Sequence, residues 1–157
     1  MWPAIIIVLV IAMVIGPVML MRPSKRDQYL AKLRASAREQ GVQVSSSRLK
    51  DASGSLCWFY WRPLENKDEN NKPAFEPIVL ERKSYAHDLH VADYFEVTKG
   101  DSVPVGFESI LKHLPDSVQG VELNRHAIGV HWSERGGEEV LADIAEALTQ
   151  LLGLLRR

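Results

Sequence analysis

Cysteine is nearly absent: Cys57 stands alone among 157 residues. A single thiol closes no internal disulfide and gives none of the paired spacings that hold structural zinc, so a disulfide scaffold and a zinc ribbon are both excluded, and a reducing compartment fits. Its neighbours Leu56, Trp58 and Phe59 mark it as a packed structural group rather than a nucleophile. Excess charge of one sign is also lacking. With a formal net charge of −1 the chain has no basic surplus to neutralise phosphates, which excludes nucleic acid as a partner. Catalytic signatures are missing as well. Gly100 to Gly106 is spaced like a phosphate loop, but no Gly-Lys-Ser/Thr follows, and no His-Glu-x-x-His occurs. Adjacent sequence assembles no nucleophile–base pair and no acid–base dyad. No catalytic residue, cofactor-binding residue, metal ligand or cofactor is therefore assigned, and the balance is against an enzyme.

The last absence is of charge at the N-terminus, where residues 2–21 carry none and are almost wholly apolar. Twenty such residues at ~1.5 Å rise span roughly 30 Å, the thickness of a hydrocarbon core. Residues 1–22 are thus expected to form a transmembrane anchor. A cleaved export signal is disfavoured by the missing basic n-region, the length of the apolar run and the lack of a small-residue cleavage site. Arg22, Lys25, Arg26, Lys32, Arg34 and Arg38 all follow the segment and no cation precedes it, so the positive-inside rule places the N-terminus outside and the bulk of the chain inside. The expected location is a bacterial inner membrane, crossed once, with the C-terminal domain cytoplasmic. Trp2 then lies at the outer interface and the six cations at the inner one. Pro17, after Gly16, predicts a kink near the inner leaflet.

Residues 23–41 read as a basic juxtamembrane helix, with Ser24 as N-cap and Gly41 as stop. Tyr29, Leu30, Leu33 and Ala37 share one stripe flanked by cations, a pattern that suits either a helix lying among anionic headgroups or a stalk packed on the domain. From Arg22 to Glu39 six cations against Asp27 and Glu39 give about +4, which leaves about −5 for the rest of the chain. Residues 42–54, with Ser45-Ser46-Ser47 and Ser53-Gly54-Ser55, read as a linker.

The remaining residues, 55–157, suffice for one cytoplasmic domain. Its first strand, 55–62, sends Trp58 and Tyr60 to one face and Phe59 and Trp61 to the other. Such aromatics are the candidate partner contacts: Trp58, Tyr60 and Trp61, with Phe59 and the polar loop 64–75 that ends in Phe75. Further strands are expected over 78–83 and 94–98. Between them His87, His90 and Asp93 are the one set with metal-ligand chemistry, though not in a recognised motif. Residues 105–114 predict a short helix ended by Pro115, and 118–123 with 128–132 predict a hairpin around Asn124. In that hairpin Val121, Leu123, Ile128, Val130 and Trp132 share a face, opposite Glu122, Gly129 and His131. From Glu138 to Arg157 a last helix carries the seam Leu141, Ile144, Leu148, Leu151 and Leu155.

These elements predict an α+β fold: a single N-terminal transmembrane helix, then a small, mostly antiparallel sheet packed with two helices. The function expected is a membrane-tethered adaptor or assembly protein that binds a protein partner beside the membrane. The alternatives are a membrane-bound metal-dependent enzyme using His87, His90 and Asp93, or a module that senses anionic lipid through its neck.

Overall fold

A computed structural model of the protein describes residues 2–20, 23–64, 76–82, 90–91 and 95–156, with the backbone alone for 14, 16–20, 90 and 91. The chain divides into two units, Met1–Lys32 and Leu33–Arg157.

The first unit holds helix α1, Trp2–Leu20, and the start of helix α2, Lys25–Glu39. Between them Ser24 and Asp27 close a reciprocal cap: the Asp27 N–H donates to Ser24 Oγ at 3.1 Å, and the Ser24 N–H to Asp27 Oδ2 at 3.1 Å. The helix stop expected at Gly41 is present, with φ +75°. Among the described residues no helix is long and apolar enough to cross a membrane. The transmembrane helix expected over residues 1–22 is therefore not shown by the described residues.

Among the described residues the second unit is built on a seven-stranded antiparallel sheet in the order β1-β2-β7-β6-β3-β5-β4. Its strands are β1 Gln43–Lys50, β2 Leu56–Pro63, β3 Ile78–Arg82, β4 His90–Val91, β5 Phe95–Lys99, β6 Val118–Leu123 and β7 Ala127–Trp132. Helices α3, Phe107–Leu111, and α4, Gly137–Leu155, complete it. The α+β fold with an antiparallel sheet is as the sequence predicts.

Residues 42–54 are not the linker their serines suggest. They hold the edge strand β1 and the turn into β2, where Asp51 Oδ1 accepts the Ser53 and Ser55 N–H groups. An edge strand shows most of its side chains to solvent, so serine serves as well as an apolar residue and the alternation of a buried strand is lost.

One face of the sheet is the core. Tyr60 pairs with Val130 and Trp58 with Trp132; Ile78 lies opposite Leu123 and Leu80 opposite Val121. Tyr60, Leu80, Phe95, Val121, Leu123, Ile128, Val130 and Trp132 are all buried. Against them pack Phe107, Ile110 and Leu111 of α3 and the whole expected seam of α4, from Leu141 to Leu155. Each large side chain so removed from water contributes ~1.5 to 3 kcal/mol before conformational entropy is set against it. A third helix joins the expected two, because Leu33 and Ala37 on the second half of α2 are fully buried. Asn124 makes the hairpin turn with its side chain rather than a left-handed backbone: its Oδ1 accepts the N–H groups of His126 at 3.0 Å and Ala127 at 2.8 Å.

Candidate functional site

The opposite face is covered by side chains of the sheet itself. Gly129 on β7 leaves space that the Phe59 ring fills; a Cβ there would lie 2.6 Å from Phe59 Cε2 and 2.6 Å from Trp61 Cβ. Phe59 thereby comes down onto its cross-strand neighbour His131, with ring centroids 4.7 Å apart and planes inclined by 26°. At the far end of the face a register shift between Ser46 and Lys50 brings the end of β1 inward, so that Leu49 sits over Gly120.

His131, 5% exposed, is the centre of a hydrogen-bonded chain. Ser47 Oγ lies 2.8 Å from Nδ1, and Glu122 Oε2 lies 3.3 Å from Nε2. Ser47 Oγ already accepts the Leu49 N–H at 2.9 Å, which leaves its own proton to donate to Nδ1. On the other side of the ring Nε2 faces a carboxylate, which can only accept, so this bond runs from Nε2–H to Glu122. The second carboxylate oxygen, Oε1, accepts from Asn124 Nδ2 at 3.2 Å. These bonds, the one from His131 foremost, hold the Glu122 carboxyl below the usual carboxylate range although partial burial pushes the other way.

Serine, histidine and glutamate in series have the connectivity of a hydrolytic triad. The surroundings differ from one. The serine oxygen is tied to a backbone N–H, and the pocket beside it opens onto Glu122 rather than onto Ser47. The chain satisfies a buried imidazole and pins β1 to the middle of the sheet.

That pocket is a groove of about 510 Å³ between the hairpin tip and the strands that flank it. Phe59 and Trp61 form its floor, Pro77 and Val79 one wall, and Lys99, Glu122, Arg125 and His126 its polar rim. Both aromatics are half-buried, and Lys99, Arg125 and His126 are exposed. The volume falls within the usual ~300–1,000 Å³ of ligand sites.

The chain matches no family model, no curated protein and no solved structure. The site's chemistry therefore rests on its own geometry.

A second cluster lies on the core face. Arg34 of α2 grips Glu134 with two parallel bonds, Nε to Oε1 at 2.6 Å and Nη2 to Oε2 at 2.7 Å, while its guanidinium sits 3.6 Å over the Trp58 ring. Tyr60 donates its hydroxyl to the same Glu134 Oε1 at 2.8 Å. The bond to Glu134 raises the Arg34 pKa further, and burial followed by the Glu134 charge pushes the Tyr60 phenol upward. Both groups stay protonated.

The expected contact residues are thus divided. Trp58 and Tyr60 serve the core-face clasp, Trp61 lines the groove, and Phe75 lies outside the described residues. His87, Asp93 and the side chain of His90 lie outside them too, although the His90 backbone belongs to β4. Of the expected membrane-interface residues, Trp2 on α1 is 82% exposed, Lys25, Arg26, Lys32 and Arg38 are exposed on α2, and Arg22 lies outside the described residues. Arg34 differs from them in that its head is committed to Glu134 and Trp58.

Sequence reasoning did not find Ser47, Glu122 and Lys99 as neighbours of the aromatic strand. Ser47 and His131 are 84 residues apart, and no local spacing signals their meeting. The one legible sign was the alternation that set Phe59 and Trp61 on the face away from Tyr60.

Proposed function

We propose that the protein is a membrane-tethered binding module whose folded domain holds a protein partner beside the bilayer. The observation that carries this reading is the groove floored by Phe59 and Trp61. Aromatic area left half-open beside polar groups is what protein-contact surfaces are enriched in. The anchor is supported by α1, whose described large apolar side chains are all exposed, from Trp2 at 82% to Ile15 at 47%. Side chains of that kind, with an uncharged sequence from 2 to 21, call for apolar surroundings. The cations that follow the segment support the orientation with the domain inside, and a bacterial inner membrane is the location proposed.

Two measurements test the two halves of the proposal. Full-length protein should stay with membranes through alkaline carbonate extraction, and its release into the supernatant overturns the tether. A photo-crosslinking residue at exposed Ser45, on the rim of the groove, should give a discrete protein adduct in native membranes that disappears in a Phe59→Ala/Trp61→Ala variant. The same adduct in both backgrounds, or none in either, overturns the assignment of the binding face.

A further inference from the structure

The groove has a polarity that narrows what it receives. Four ionisable side chains line it: Lys99, Glu122, Arg125 and His126. Among the described residues Glu122 is the one acid in the lining, and each of its oxygens accepts a hydrogen bond, Oε1 from Asn124 and Oε2 from His131. These two bonds hold its carboxylate toward the hydrogen-bonded chain, and the groove's ionisable lining is two exposed cations to one partly buried acid, with His126 beside them. Lys99 and Arg125 are different. Both are exposed, and among the described residues neither forms a salt bridge. The rim therefore presents two exposed cations, Lys99 with the Glu122 charge near it and Arg125, on a chain whose sequence outside residues 22–39 carries about −5.

Resting on the binding-module reading above, we infer that the groove takes an acidic peptide segment of a partner protein, carrying one large apolar side chain for the Phe59–Trp61 floor and carboxylates for Lys99 and Arg125. An apolar anchor in an aromatic pocket supplies affinity, and complementary charge at the rim supplies register, on-rate and rejection of basic sequences. A basic segment meets the reverse arrangement and is excluded.

The test uses full-length protein in neutral detergent micelles and two fluorescently labelled nonapeptides, one of Asp and Glu around a central Phe, the other identical but with Lys in place of the acids. Fluorescence anisotropy should show saturable binding of the acidic peptide, weakened several-fold between 50 and 300 mM salt because the rim is exposed (roughly the range over which the Debye length falls from ~14 to ~6 Å). Binding should weaken at least tenfold in Lys99→Glu/Arg125→Glu, two exposed positions whose replacement leaves the near-UV circular dichroism unchanged. Trp61→Ala should weaken it without changing the salt slope. Equal binding of the two peptides, no binding of the acidic one, or indifference to the charge reversal overturns the inference. A crosslinked partner at Ser45 that persists in Lys99→Glu/Arg125→Glu leaves the binding face standing and removes only its preference for acids, whereas loss of the adduct in the aromatic variant alone does the same.

Discussion

Arg34 and Glu134, one hundred residues apart, meet in a two-point ion pair that fastens the second half of α2 to the end of β7. Glu134 is 5% exposed at its side chain and has φ +57°, a conformation that costs a non-glycine residue of the order of 1 kcal/mol. The contacts at its carboxylate hold it there.

Removing the arginine should leave a buried carboxylate with only the Tyr60 hydroxyl. Arg34→Ala is expected to lower stability by about 2–3 kcal/mol, less than for a fully enclosed pair because Arg34 keeps some exposure. Arg34→Lys should recover only part of this, since a single ammonium replaces neither the fork nor the stacking on Trp58. Urea unfolding followed by tryptophan fluorescence measures both, and an Arg34→Ala variant as stable as the parent contradicts the clasp.

Gly129→Ala should act through Phe59. The backbone at Gly129 does not need positive φ, so the effect is steric: a methyl group takes the space of the Phe59 ring and lifts it from His131. A cost of about 1–3 kcal/mol is expected from overpacking. The His131 ring-proton resonances should shift downfield as they leave the shielding of the stacked phenyl ring, and unchanged shifts count against the stacking.

Acid should loosen the half-open face. The folded state holds the Glu122 carboxyl below its unfolded value, so the unfolded chain binds more protons in the acidic range; the stabilisation is complete above the ordinary carboxylate pKa and is lost as pH falls through the lowered one. Unfolding midpoints from pH 7 down to 3 should fall in the parent and fall less steeply in Glu122→Gln. Parallel curves for the two remove the contribution assigned to Glu122.

Cys57 should be chemically silent until the domain opens. Burial, with a smaller contribution from the Asp51 charge, pushes its thiol up to about 11, leaving almost no thiolate at neutral pH. Labelling by a thiol-reactive disulfide reagent at pH 8 should therefore follow the rate or population of unfolding. Rapid stoichiometric labelling of the native protein indicates an exposed, reactive sulfur instead.

The parts of the fold that could be read from the sequence are those in which one side chain's surroundings are set by near neighbours. The α4 seam and the two faces of the β6–β7 hairpin obey simple periods because a single continuous surface covers each. Ser24 announces its helix start for a similar reason. β1 escaped because three serines on an edge strand look like those of a connector. The candidate site was half legible: alternation separated Phe59 and Trp61 from Trp58 and Tyr60, but treated all four as possible contacts. Only the register of β2 against β7 shows that one pair is committed to the core face while the other floors a groove. Arg34 likewise looked like one more cation of the neck, since nothing near it in sequence names Glu134.

The sheet order also sets a timetable for folding. β2 lies between β1, its neighbour in sequence, and β7, which begins at Ala127, so the aromatic strand keeps one side open until more than sixty further residues have been made. At roughly 5–20 residues per second that interval lasts several seconds on the ribosome. Throughout it the nascent chain can offer little more than the β1–β2 hairpin, with Trp58, Phe59, Tyr60 and Trp61 still short of their final neighbours. Ribosome-stalled chains ending before β7 should accordingly be more sensitive to protease and more readily bound by chaperones than chains released after α4.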